Sequence, residues 1–514
     1  MHGARSENPR AAAPPRPAGP PAGPPRRSRW WPTVAWAALA LTAGLLGGCV
    51  EHQPPPNVIL ISADTLRADR LGAYGYEERP TSPRIDALAG EALLFEVHVA
   101  AAPWTTPSHL SLLTGLRPTR HGVTGGDRAL REALRGDRAI QRLPDAITTL
   151  AETLAARGWS TGAFTGGATL DPRIGFDQGF SEYDTSMVKL DRSKVDRVFE
   201  WIDAQPEPFF LFWHTFEVHA PYVAPDFLDD VLPEPRARAL GERLEGLPEK
   251  GGWKQVRAAK RVMRSHDAYN REVTSALYDG GVRSFDRWLG ELLDFLRARN
   301  LDERTILVLT SDHGEQLGEE GRPAPYGDGF YNLHGHSLLE EMIRIPLIVR
   351  LPGQEDGRRI PDVTASIDVM PTILDLLGLP VPPEVQGQSL RPLWEGDGTW
   401  EPRAALSESL SEGEEQKGLR DDRYKLVLSV AAAAVEAEGR SFVPPDAPAA
   451  LFDLVRDPGE RRDLLGEGTN EETNARARRM ADEMRRHLAE TGTAETGSIS
   501  PEALEGLKAL GYVE

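Results

Sequence analysis

The chain has 514 residues, 40% apolar and 27% charged, an ordinary composition for a protein large enough to bury a substantial core. Its formal net charge is −19; the first 49 residues, with six arginines and one glutamate, carry +5 and leave −24 on the remainder. So acidic a body, with no basic stripe, excludes nucleic acid as a partner, and the single cysteine excludes intrachain disulfides.

The N-terminus reads as targeting sequence. Residues 8 to 27 are rich in Pro, Ala and Arg, followed by Arg26-Arg27-Ser28-Arg29. From Val34 to Gly48 the chain is apolar and uncharged. That run is shorter than a membrane span of about 20 residues and fits a secretory signal of roughly 7–15 apolar residues. It ends in Leu46-Gly47-Gly48-Cys49, which resembles the bacterial lipoprotein cleavage box. Residues 1–49 are therefore expected to be a leader. Cys49 would carry the lipid, with the body exported to the cell envelope and anchored to a membrane. An uncleaved anchor helix from Trp30 is the alternative and puts the body on the same side. Arg26-Arg27 hints at a folded-export route.

A stiff linker over 50–56, with Pro54-Pro55-Pro56, leads into Asn57–Ser62, a continuous β-branched and aliphatic run that reads as a buried strand. Phe209–Trp213, Thr305–Leu309 and Pro346–Val349 read the same way. Amphipathic helices are expected over Ile147–Arg157 and Trp288–Arg297. This alternation predicts an α/β fold over 57–392: a mostly parallel central sheet with helices on both faces, binding ligands at the C-terminal strand ends. Residues 393–514 are expected to form a smaller C-terminal α+β subdomain. Its strands are Arg423–Leu428 and Ala450–Leu454, its helix is Asn470–Thr491, and Ala431–Gly439 is a loop.

Four blocks carry the chemistry. Asp64, in Ser62-Ala-Asp64-Thr65-Leu-Arg67, sits where a first-strand metal ligand belongs, although a helix N-cap would use the same residue. In Thr105-Thr106-Pro107-Ser108-His109, Pro107 stiffens a loop into a helix whose N-terminus offers hydroxyls and an anion-favouring dipole; an ordinary Thr/Ser cap is the plainer reading. His214 and His219, five residues apart, follow the Phe209–Trp213 strand. Asp312-His313 ends the Thr305–Thr310 strand and is followed later by His334-Gly335-His336. Asp and His adjacent at a strand end suit a metal. Seven of the twelve histidines (109, 121, 214, 219, 313, 334, 336) lie in or beside these blocks, and together they suggest metal-assisted ester hydrolysis.

The order Asp64-Thr65-Leu66-Arg67, Thr105-x-Pro107-Ser108-x-x-Ser111-Leu-Leu-Thr-Gly115, His219-x-Pro221-Tyr222 and Ser311-Asp312-His313-Gly314-Glu315 resembles the sulfatases of the alkaline phosphatase superfamily. Gly175–Phe180, Ile367–Leu374, Gln386–Leu390, Asp422–Lys425, Leu451–Pro458 and Gly506–Tyr512 agree, so the likeness covers 57–514. There are departures. Thr105 stands where sulfatases have the Cys or Ser that becomes formylglycine, and a threonine cannot give that aldehyde. His109 replaces an arginine and Thr65 an aspartate. The Thr165–Thr169 segment lacks the family's lysine and histidine, and the His334–His336 loop replaces a further lysine. Other branches of the superfamily use an unmodified threonine on phosphate esters.

The resemblance implies one divalent metal held by Asp64, Thr105, Asp312 and His313. Calcium is the family default, while the histidine ligand suits manganese or zinc. It implies Thr105 as nucleophile, with His219 and one of His109, His334 or His336 holding oxygens or protonating the leaving group. The expected activity is hydrolysis of sulfuric esters of a small-molecule, glycan or lipid substrate. Phosphomonoester or phosphodiester hydrolysis, or phosphotransfer, is the alternative, and an inactive surface binding protein the reading from another class. Loops within Pro225–Arg271 and Gly321–Tyr331 are expected to select the substrate.

Overall fold

A computed structural model describes residues 54–125, 141–247, 253–319, 334–396, 398–410, 414–431, 449–466, 470–489 and 497–498. The leader with Cys49, residues 50–53 of the linker, the loop Gly321–Tyr331, nearly all of Ala431–Gly439 and the tail motif Gly506–Tyr512 lie outside them. No helix among the described residues is long and apolar enough to cross a membrane.

The strands in chain order are β1 (Asn57–Ala63), β2 (Leu93–Val99), β3 (Gln141–Arg142), β4 (Ser160–Phe164), β5 (Glu182–Asp184), β6 (Phe209–Thr215), β7 (Thr305–Thr310), β8 (Arg344–Arg350), β9 (Arg358–Ala365), β10 (Ala405–Ser409), β11 (Glu414–Arg420), β12 (Tyr424–Ala431) and β13 (Ala449–Asp453). Eight of them form one sheet in the order β5-β4-β6-β1-β7-β8-β2-β9. Neighbours run parallel except at β8, which is antiparallel to both β7 and β2. The expected mostly parallel sheet is present, and the predicted Pro346–Val349 strand is its one reversed member.

Side-chain alternation explains why helices cover both faces. Ile59, Ile61, Leu211, Trp213, Leu307 and Leu309 point to one side, packing with Val195 and Val198 of the helix Arg192–Ala204 and Leu277 and Leu289 of the helix Arg271–Ala298. Val58, Leu60, Phe210, Phe212, Ile306 and Val308 point to the other, against Leu110 and Leu113 of the helix Thr105–Thr114 and Ile373 of the helix Val369–Leu376. The expected helix over 147–157 is shorter, Leu150–Ala155, because the Thr149 hydroxyl and the Glu152 carboxylate form a capping box. Trp288–Arg297 is the last third of the helix Arg271–Ala298.

A second, antiparallel sheet runs β10-β11-β12-β13. The helix Glu471–Ala489 supplies Met480 and Met484 to its core beside Leu419, Leu426 and Leu451. Its first strand joins the main body directly: Glu408 N–H donates to the Ala101 carbonyl (2.8 Å), and the Ser407 hydroxyl to the Ala100 carbonyl (2.6 Å).

Candidate active site and metal centre

Register places the acidic residues. β1 pairs with β7 so that Ser62 lies opposite Thr310, and with β6 so that Ser62 lies opposite His214. Asp64 and Asp312 therefore emerge side by side from neighbouring strand ends. One oxygen of Asp312 is fixed by the Thr65 N–H (3.2 Å), and one of Asp64 by His214 Nε2–H (3.2 Å). The Gly166 N–H donates to His214 Nδ1 (3.1 Å), which settles that ring's tautomer. The remaining oxygens, Asp64 Oδ1 and Asp312 Oδ2, are buried and hydrogen-bond to nothing among the described residues.

His313 completes the group. Its Nδ1–H donates to the Gly314 carbonyl (2.8 Å), leaving a lone pair on Nε2. That nitrogen lies 3.2 Å from Asp312 Oδ2, 4.0 Å from Asp64 Oδ1 and 3.3 Å from the Thr105 hydroxyl. One ligand atom from each of Asp64, Asp312 and His313 falls within 4.8 Å of the others, all buried. Burial, and then Asp312 beside it, raises the Asp64 carboxyl well above its ordinary value. Burial lowers the His313 imidazole to about 4, so the ring is neutral near pH 7. Two crowded buried carboxyl groups, each with an oxygen lacking a hydrogen-bond partner, and an imidazole lone pair converging on them are what a divalent cation would satisfy, so the donor set fits one.

Thr105 opens the helix Thr105–Thr114, buried, at the end where the helix dipole favours an anion. The helix is anchored under the sheet by the Ser108 hydroxyl, which donates to the Asp312 carbonyl (2.6 Å).

The other predicted histidines separate. His109 is fully buried with both nitrogens engaged: Nδ1–H donates to the Thr105 carbonyl (2.9 Å) and Nε2 accepts from the Ser62 hydroxyl (2.9 Å). It braces the turn that carries Thr105. His336 turns to Gln316 (3.0 Å). His334 stacks on Trp104 at 5.4 Å, with ring centres 4.8 Å from His313 and 5.1 Å from His219, and donates from Nδ1 to Glu315 Oε1 (3.0 Å). The Tyr222 hydroxyl donates to the other oxygen of Glu315. His219 is half-buried and its Nδ1–H donates to the Ala220 carbonyl (2.6 Å). Burial, then His334, lowers it to about 3.

Where sulfatases would place a lysine and a histidine, Gly166 lets the Phe216 ring close in: a Cβ there would meet Phe216 Cδ2 at 2.7 Å. The sequence reading missed Lys189, whose ammonium reaches this strand end and is lowered to about 8 by burial, against the pull of Glu217 and Asp64. It quoted Ser62 and Ser311 in its motifs without giving them a role and passed over Tyr278; their hydroxyls fix His109 and the loops that carry Asp64 and Asp312.

The sulfatase family model matches residues 56–379, and a model described as N-sulphoglucosamine sulphohydrolase, C-terminal, matches 329–487. Human arylsulfatase A is 27% identical over 492 residues, covering 83% of this chain and 86% of that protein. Among solved structures, one in complex with its substrate D-glucosamine-2-N,6-O-disulfate superposes with a TM-score of 0.64 at 19% identity, covering 85% of this chain and 99% of that one. The phosphonate monoester hydrolase of Agrobacterium radiobacter superposes with a TM-score of 0.60 at 21% identity, covering 87% and 100%. With the family model spanning the whole eight-stranded sheet and the site at its rim, the chain belongs to the sulfatase family, a family of sulfuric ester hydrolases.

Proposed function

We propose that this chain is a metal-dependent hydrolase of sulfuric esters that uses the unmodified hydroxyl of Thr105 as its nucleophile. The observation carrying this reading is the Thr105 hydroxyl 3.3 Å from His313 Nε2, beside the two unpaired oxygens of Asp64 and Asp312. Asp64, Asp312 and His313 would hold a divalent cation, which would supply a lower pKa for that hydroxyl and charge neutralisation for the transferred group. The helix N-terminus holds the anion. The Thr105 oxygen forms a bond to sulfur as the bond to the leaving oxygen breaks. His219, neutral at rest, carries the proton lost by Thr105 to the leaving oxygen. Trp104 and His334 wall the site beside it. Water then cleaves the sulfo-threonine, releasing the anion and restoring the hydroxyl.

The second reading is phosphodiester hydrolysis by the same residues. The threonine favours it: a phospho-threonine is readily cleaved at phosphorus, whereas formylglycine sulfatases release sulfate by an elimination that threonine cannot perform.

Rapid quench of metal-loaded enzyme with activated sulfate and phosphodiester substrates, followed by peptide mapping, tests both. A sulfo adduct on Thr105 supports the first reading and a phospho adduct alone the second. Thr105→Ala is expected to lower kcat by about 10⁴-fold or more. Unchanged turnover in that variant rules out Thr105 as the nucleophile, and no turnover by the parent on either ester favours a binding protein.

A further inference from the structure

The loop carrying His219 is held by a cation that has no part in the chemistry above. Lys189 Nζ donates to the carbonyls of Phe216 (2.7 Å), Glu217 (2.9 Å) and His219 (2.9 Å). An ammonium has three protons, so these bonds saturate it and leave none to grip a substrate anion. The tie is returned from the other side. Glu217 Oε2 accepts from the Leu190 N–H (2.9 Å), and its Oε1 from the hydroxyl of Ser284 on the helix Arg271–Ala298 (2.6 Å). Two loops that leave different strands, β5 and β6, are thereby cross-braced at the edge of the site, with Phe216 packed against His219 at 4.9 Å between ring centres.

A turn with three consecutive or near-consecutive carbonyls pointing at one buried point does not hold its shape unaided, since their dipoles repel. The ammonium gathers them, and the imidazole direction follows from the backbone it fixes. We propose that Lys189 is a positioning residue for His219, setting the direction in which that imidazole passes its proton. The inference rests on the acid–base role given to His219 above.

The experiment compares Lys189→Met with His219→Ala in the full-length, metal-loaded enzyme, on two esters of the same acid. One has a 4-nitrophenyl leaving group, which departs without a proton, and the other a phenyl or alkyl leaving group, which needs one. Lys189→Met is expected to lower kcat by about 10²-fold on the poor leaving group, as a misplacement of about 1 Å does, and by only a few-fold on the good one. Combined with His219→Ala, it is expected to add no further loss. Bound metal and Tm serve as folding controls. Should Lys189→Met not fold, Glu217→Ala loosens the same brace from the other side and is expected to show the same split. Equal losses on both esters, or additive losses in the double variant, overturn the positioning role while leaving His219 in place. A flat response in His219→Ala alone removes the acid–base reading, and this inference with it.

Discussion

Thr65 is held at φ 63°, a left-handed conformation that a β-branched residue rarely adopts. The Tyr278 hydroxyl donates to its carbonyl (2.6 Å), the next residue's N–H reaches Ser311 (3.0 Å), and its own N–H reaches Asp312. Strain of about 1–3 kcal/mol is thus stored one residue from Asp64, in exchange for aiming a backbone donor at the other carboxylate. Buried histidines make a second residue-scale feature. His98 in β2 is fully buried and lowered from 6.5 to about 3, and His121 is lowered to about 4, both by burial. Between the unfolded value of 6.5 and these folded values, the unfolded chain binds more protons, so stability is complete above that window and falls as pH drops through it. Each such histidine contributes a slope approaching about 1.4 kcal/mol per pH unit. His98→Leu is expected to remove one histidine's share of the stability loss between pH 6.5 and 5 in urea titrations. An unaltered slope would refute the burial account.

At the scale of elements, the Asp312–Glu315 loop lies flat on the turn Glu340–Ile343. Gly314 N–H donates to the Met342 carbonyl (2.7 Å) and Glu315 N–H to the Glu341 carbonyl (3.0 Å). A Cβ on Gly314 would meet the Glu341 carbonyl oxygen at 2.0 Å, and that atom is backbone and cannot give way. Gly314→Ala is expected to displace His313 and weaken metal affinity by about 10–100-fold, measured by competition with a chelator. Metal affinity equal to the parent's would show that the close approach is dispensable. The same scale explains what could be read from the residues alone. β1, β6 and β7 are apolar on both faces and stand out as unbroken runs, so the sheet's centre and its acidic rim were legible. β2, β4, β9 and β10 mix polar residues into short segments and carry no comparable pattern. For the candidate site, Asp64, Asp312 and His313 follow strands that could be read and Thr105 stands just before the proline that marks a helix start, so their positions were legible while their roles came from the resemblance. The division of labour among the histidines was not, because it depends on which ring nitrogen meets which carbonyl or hydroxyl across distant segments.

Across the whole molecule, buried charges of the second sheet and their hydrogen-bond partners tie it to the main body. Lys417 in β11 is fully buried and pairs with Glu408 of β10 and with Glu415 (2.8 Å). Glu408 also accepts from the Thr119 hydroxyl (3.0 Å), shortly after the helix that begins with Thr105. Lys425 ties Glu460 (2.6 Å) and Glu340 (3.2 Å) together in the same manner, reaching the turn beneath Gly314. Removing one partner of such a pair leaves a charge stranded in a low-dielectric interior. Lys417→Met is expected to cost about 3–5 kcal/mol in urea unfolding, with the whole body of the protein losing stability in one transition. A loss below about 1 kcal/mol, the range of exposed pairs, would show that the buried pair is dispensable.

The lateral pairing of β1 with β7 also separates reactivity from selectivity. The gap between the Asp64 and Asp312 side chains is inherited from interstrand hydrogen bonding, while the bordering helices Arg236–Glu245 and Trp253–Ser265 take no part in that pairing. Those border segments can be exchanged by grafting, or drift over evolutionary time, without retuning the reacting centre. One rim can therefore serve many esters with the chemistry left untouched.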